Sequence, residues 1–126
     1  MKDEARTVGA FTGRHVLAEL TDADPALLDD SGALREAMSS ALSAAGATVC
    51  EVISHRFEPQ GLTVLAMLAE SHASIHTYPE LGAAFVDVFT CGERADPELA
   101  VELLAKAVGA ASVRSSTVHR GNGKDS

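Results

Sequence analysis

Apolar and polar residues alternate with a period of two along most of this chain, and two stretches switch to helical spacing. From Arg14 to Leu20, Val16, Ala18 and Leu20 share one face while His15, Leu17 and Glu19 share the other, which predicts a strand with one mixed face. Asp24-Pro25 and Asp29-Asp30-Ser31 supply turn and N-cap chemistry. Leu34, Ala37, Met38, Ala41, Leu42 and Ala45 then recur at helical spacing, and Gly46 is the expected stop. Thr48 to Ser54 reads as a β-branched strand and Glu58-Pro59-Gln60-Gly61 as a turn. Leu62 to Ala69, apolar almost throughout, predicts a central strand buried on both faces.

Ser71 to Tyr78 alternates Ser71, Ala73, Ile75 and Thr77 with His72, Ser74, His76 and Tyr78, and Pro79 limits the strand. Ala83 to Thr90 carries Phe85, Asp87 and Phe89 on one side and Val86 and Val88 on the other. Asp96-Pro97-Glu98 opens a second helix whose stripe is Leu99, Leu103 and Leu104, and Gly109 ends it. Ser112 to His119 closes as a last strand. Residues 1 to about 11 and 121 to 126 show no periodicity and are expected to be loose termini. The order β-α-β-β-β-β-α-β predicts an α+β fold: a two-layer sandwich, with a largely antiparallel sheet and two helices on one face, in a single domain spanning 1–126.

Composition sharpens this picture. The 126 residues suffice for one core, but with no Trp, one Tyr and four Phe that core rests on Leu, Val and Ala. A sheet covered on one face only gains by burying the other against a twin, so a homodimer is expected. Ten Lys plus Arg against eighteen Asp plus Glu gives a net charge of −8, which repels phosphate backbones and anionic lipid and favours small cations. Nucleic acid and membrane are therefore not expected partners. No apolar run approaches the ~20 residues of a spanning helix, and MKDEARTVGA lacks the layout of a secretory signal, so the expected location is cytoplasmic. Cys50 and Cys91, in no CxxC spacing, read as reduced thiols.

Candidate chemistry concentrates in Ala69 to Glu80. His72 and His76 have one-sided zinc spacing on a helix, but on a strand they lie ~13 Å apart, so no metal is expected. Ser71 follows Glu70 where an apolar strand gives way to a polar one. Its hydroxyl either attacks a carbonyl, a substrate's or that of its own preceding peptide, or caps a backbone group as an ordinary turn serine. Cys91, before Gly92, is either a thiol facing a cleft or a small core hydrophobe. Phe57 is either a loop anchor or a stacking face for a planar ligand.

Five ordered blocks carry a resemblance: GRHVLAEL at Gly13 to Leu20, HRFEPQG at His55 to Gly61, ESHASIHTYPE at Glu70 to Glu80, VDVFTCG at Val86 to Gly92, and Asp96-Pro97. Together the chain resembles the small prokaryotic S-adenosylmethionine decarboxylase proenzymes over nearly its whole length. The resemblance implies a proenzyme that cleaves itself between Glu70 and Ser71 into residues 1–70 and 71–126, turning Ser71 into a covalent pyruvoyl cofactor. It implies that Thr63 steadies the tetrahedral intermediate, that His76 takes a proton during β-elimination, and that Cys91 protonates the product carbon. The pyruvoyl group would form a Schiff base with the substrate amine. Phe57 and Glu80 would meet adenine and ribose, in a homodimer with active sites at the subunit interface. The chain departs from the family string at Tyr78, where Trp is usual, at Gln60, where an aromatic is common, and at Thr63, where Ser is frequent. The first two touch substrate recognition, so L-arginine or L-ornithine is the alternative substrate on the same framework. A nucleoside-binding regulatory module that has lost processing is the alternative of another class.

Overall fold

The computed structural model describes residues 11–121. Strand β1 (Thr12–Thr21) leads through a one-turn helix α1 (Pro25–Leu28) into α2 (Ser31–Ala44). Then follow β2 (Val49–Arg56), β3 (Leu62–Leu68), β4 (Ser71–Tyr78), β5 (Ala83–Cys91), α3 (Pro97–Ala107) and β6 (Ser112–Gly121), with a 3-10 turn over Pro79–Leu81 between β4 and β5. The six strands form one sheet in the order β2-β3-β4-β5-β1-β6, and every neighbouring pair is antiparallel. The expected α+β sandwich is present, with α2 and α3 covering one face. The short α1 and the 3-10 turn went unread because one helical turn leaves no periodicity to find. Among the described residues, no helix is long and apolar enough to cross a membrane.

Local chemistry explains where the helices start and stop. Asp30 Oδ1 accepts the Ala33 N–H at 3.0 Å, and Asp96 Oδ1 accepts that of Leu99 at 3.1 Å, each satisfying a first-turn donor. Gly46 ends α2 at φ 95°, and a Cβ there would lie 2.6 Å from the Arg94 carbonyl oxygen. Only glycine lets α2 close against the loop that leads into α3. Helix α2 buries Leu34, Met38, Ala41 and Leu42. Helix α3 buries Ala100, Val101, Leu104 and Ala105, so two residues of its expected stripe, Leu99 and Leu103, sit instead at the margin of the core.

Beneath the helices the strands contribute Val16, Ala18 and Leu20, Leu62, Val64, Ala66 and Leu68, Ala73 and Ile75, and Ala84, Val86 and Val88. The opposite face has no second layer in the protomer. Strand β3 is therefore buried on one face, not two: Leu65 and Met67 are 43% and 60% exposed although their neighbours are fully buried. Leu17, Ile53 and Phe85 lie on the same open face. The expectation of loose termini falls mostly outside the described residues. Gly121, assigned to the tail, is instead the last residue of β6, paired with Thr12.

One polar anchor fixes the loop between β2 and β3, which carries Phe57. Arg56 donates to Asp29 Oδ1 at 3.1 Å and to its carbonyl oxygen at 2.6 Å, and the Gly61 N–H donates to the same Oδ1 at 3.0 Å. The Gly61 amide, with help from Arg56 and against partial desolvation, holds the Asp29 carboxyl below its ordinary value.

Two outcomes follow from this packing. Leu104→Ala, which empties a fully buried position between α3 and the sheet, is expected to lower stability by about 2–5 kcal/mol in urea denaturation. Because the Asp29 pKa is depressed in the folded chain, its contribution is complete above the unfolded value and is lost as pH falls through the folded one. Asp29→Asn is thus expected to lower the urea midpoint at neutral pH, and the gap to the parent should close below about pH 4.

Candidate active site

A two-residue turn, Ala69-Glu70, connects β3 to β4, and Ser71 is the first residue after it. The turn is pinned from below. Ala69 donates its N–H to the Thr48 carbonyl at 2.9 Å, and the enclosed Glu70 carboxyl accepts the Thr48 N–H at 3.0 Å and the Thr48 hydroxyl at 3.2 Å. Arg94 Nη1 approaches the same carboxyl to 3.9 Å. A carboxyl buried without such donors would cost several kcal/mol, so these contacts fix how the Glu70 backbone is turned. Its carbonyl oxygen accepts the Cys91 N–H at 3.0 Å. The carbonyl that precedes Ser71 is thereby both aimed and polarised.

Cys91 ends β5 opposite Gly13. A Cβ on residue 13 would lie 2.6 Å from the Thr90 carbonyl oxygen and 3.2 Å from Cys91 Sγ, so the glycine is required for β1 to pass this close. The half-buried thiol lines a cleft of about 250 Å³ with Phe11, Gly13, Phe89 and Arg120, rather than packing in the core. Thr90, opposite Ser71 in the register, has a buried hydroxyl with no hydrogen-bond partner among the described residues. Ser71 and His72 border a second, more apolar hollow of about 480 Å³ with Ile53, Leu65 and Met67.

The Ser71 hydroxyl lies 3.2 Å from His72 Nδ1. His72 Nε2 faces Asp87 Oδ2 at 3.6 Å, and the same oxygen meets His15 Nε2 at 2.7 Å. Ser74 donates its hydroxyl to the other oxygen of Asp87. Arg120 Nη1 lies 3.1 Å from His15 Nδ1 and stacks its guanidinium 4.3 Å above the Phe89 ring. Guanidinium has no acceptor, so it donates to Nδ1, and the His15 proton sits on Nε2 pointing at Asp87. His15, His72 and Asp87 bring three potential ligand atoms within 4.8 Å of one another. Arg120 nevertheless occupies the position where a metal-bound imidazole needs an acceptor, and so opposes a cation there.

The other named residues gather elsewhere. Thr63 Oγ1 and His76 Nδ1 are 2.9 Å apart across β3 and β4. His76 lies five residues along β4 from Ser71, on the opposite face and roughly 16 Å away. His72 and His76, considered above as a pair, thus have separate partners. Phe57 packs edge-on against His55 at 4.6 Å, Tyr78 against Phe85 at 5.6 Å, and Glu80 is exposed in the 3-10 turn. One protomer therefore holds Glu70, Ser71 and Cys91 at one end of the sheet. Thr63, His76, Phe57, Tyr78 and Glu80 lie toward the other.

Sequence reasoning did not single out Thr48, Arg94, His15, Ser74, Asp87 or Arg120 as site residues. Ser74 lies on β4 itself, and each of the others reaches the site through strand pairing or a loop across long sequence separations. The available signal was a polar residue interrupting an apolar alternation, as His15 and Asp87 do.

The profile of the S-adenosylmethionine decarboxylase family matches residues 14–121. An S-adenosylmethionine decarboxylase proenzyme of Prochlorococcus marinus (strain MIT 9313) is 56% identical over 100 residues, covering 79% of this chain and 80% of that protein. One of Moorella thermoacetica (strain ATCC 39073 / JCM 9320) is 46% identical over 109 residues, covering 86% and 87%. The crystal structure of the adenosylmethionine decarboxylase from Aquifex aeolicus VF5 superposes with a TM-score of 0.83 at 32% identity, covering 93% of this chain and 97% of that one. With a family match across all six strands and both long helices, the chain belongs to the S-adenosylmethionine decarboxylase family.

Proposed function

We propose that this chain is a self-processing proenzyme that breaks its backbone between Glu70 and Ser71, converts residue 71 into a pyruvoyl group, and then decarboxylates S-adenosylmethionine. The observation that carries the reading is the 3.0 Å bond from the Cys91 N–H to the Glu70 carbonyl, with a serine hydroxyl on the very next residue. A peptide carbonyl is a poor electrophile, and a fixed N–H aimed at its oxygen stabilises the charge that develops when a hydroxyl attacks. The pinned Glu70 side chain keeps that oxygen in place. These residues fit the making of a pyruvoyl group at position 71.

Once present, that group supplies an electron sink for loss of an α-carboxylate. Cys91, whose thiol lines a cleft at the end of β5, is the residue we assign to protonate the carbon that has lost carbon dioxide. Thr63 and His76, hydrogen-bonded to each other, form the pair assigned to steadying the intermediate and to β-elimination. They lie too far from Ser71 to serve it within one protomer. Two sheets stacked by their open faces about a two-fold axis that runs across the strands bring one end of each over the opposite end of the other, so such a homodimer unites the two groups. The exposed Leu17, Leu65, Met67 and Phe85 support such a face.

In that arrangement Phe57 and Tyr78 offer ring faces to adenine and Glu80 a carboxylate to the ribose hydroxyls. The net charge of −8 suits a cationic sulfonium substrate. The relatives described above bear the name of S-adenosylmethionine decarboxylase, which favours this substrate over arginine or ornithine and an enzyme over an unprocessed binding module.

Purified protein is expected to show two chains on a denaturing gel, with position 71 lacking its amine by intact mass, and Ser71→Ala a single intact chain. Carbon dioxide release from carboxyl-labelled S-adenosylmethionine should exceed that from labelled arginine or ornithine. Cys91→Ala should process but release carbon dioxide about 10²-fold or more slowly. A parent chain that stays intact, or release from arginine or ornithine alone, overturns the reading. In sedimentation the particle should have twice the protomer mass.

A further inference from the structure

We infer that His72 is the base that activates Ser71 for self-cleavage, and that Asp87 is a positioning residue that holds His72 in that role. The inference deepens the self-processing reading and rests on it. Ser71 Oγ lies 3.2 Å from His72 Nδ1, within hydrogen-bond reach, and no other side chain hydrogen-bonds to that hydroxyl among the described residues. For Nδ1 to accept the hydroxyl proton, the imidazole must carry its own proton on Nε2. Asp87 Oδ2 faces that nitrogen at 3.6 Å. Contacts of this kind are commonly long before the reacting state forms and tighten within it.

Asp87 is itself over-determined. Ser74 holds one of its oxygens and His15 the other, and Arg120 fixes the His15 tautomer so that Nε2–H points at the carboxylate. The chain Arg120–His15–Asp87–His72–Ser71 thus runs across β6, β1, β5 and β4 and ends on the nucleophile. His76, the other imidazole considered for processing, is bonded to Thr63 and lies roughly 16 Å away along the strand of its own protomer; it is assigned to the later β-elimination, which a second protomer would bring it to.

The step balances without a co-reactant. The Ser71 Oγ–H proton moves to His72 Nδ1 as Oγ attacks the Glu70 carbonyl carbon, and the oxyanion is held by the Cys91 N–H. The bond from that carbon to the Ser71 nitrogen then breaks, and the nitrogen takes the proton back from Nδ1. A peptide has become an ester with no net change in protons. His72 therefore acts in the acyl shift, before β-elimination.

The test follows cleavage of freshly purified proenzyme by gel and intact mass, with and without hydroxylamine, which cuts an ester but not a peptide. His72→Gln and His72→Asn are both used. The side chain is 51% exposed, so neither opens the core, and Asn retains a hydrogen-bonding group near the Nδ1 position without its basicity. Both are expected to slow cleavage by about 10² to 10⁴-fold and to yield no hydroxylamine-sensitive ester. Asp87→Asn should also slow cleavage, but should add little in the His72→Gln background, because a residue acting through His72 has nothing left to act on. Parental cleavage in both His72 variants, accumulation of ester in them, or an undiminished Asp87→Asn effect in the double variant each overturns the inference. In those cases the parent still cleaves and the self-processing reading stands. A parent that never cleaves overturns both.

Discussion

The register between β4 and β5 is the constraint on which both the core and the site depend. Ala73 faces Val88 and Ile75 faces Val86 under the helices, while Ser74 faces Asp87 and His76 faces Phe85 on the open side. Because side chains alternate strictly, slipping this pairing by one residue would turn one strand over against the other. The imidazoles would enter the core and Ile75 would leave it. The same register sets Ser71 beside Thr90, and the Cys91 amide follows at the strand end where the Glu70 carbonyl can receive it. Burial of aliphatic side chains on one face thus determines which polar groups meet on the other.

Much of this was legible in the chain. The alternation in Ser71–Tyr78 and Ala83–Cys91 marked two strands, and the acidic caps at Asp30 and Asp96 marked both long helices. Polar residues at period two also placed His72, Ser74 and His76 together on one face. Two things were not legible. The apolar run in β3 looked doubly buried because a sequence does not distinguish a face covered by helices from one left for another sheet, and Leu65 and Met67 proved open. The partners of His72 were also hidden, since β1 enters the sheet beside β5 only through long-range pairing. His15 and Asp87 are far apart along the chain, and nothing local announces that their side chains meet. Ser71, Glu70 and Cys91 were singled out as candidates through a motif, and their mutual geometry emerged only through the fold.

The polar cluster on the open face shows how one fixed donor orients its neighbours. Three groups able to bind a cation converge at His15, His72 and Asp87. A single guanidinium from β6, stacked on Phe89, donates to His15 Nδ1 and so sets its proton on the nitrogen facing Asp87. Such networks in a low-dielectric setting are strong when every member is satisfied and costly when one is not. Asp87, with three neighbours, meets that condition.

The strand order carries a final consequence. A break after Glu70 would assign β1, α1, α2, β2 and β3 to one piece and β4, β5, α3 and β6 to the other. Yet β1 is threaded between β5 and β6, and β3 lies against β4, so each fragment is zipped to its complement along three separate ladders. Each keeps only a two-stranded ladder of its own, β2–β3 or β4–β5, with its third strand held by the other piece. The severed halves would stay interleaved like the fingers of two hands, parting only if the whole architecture melts.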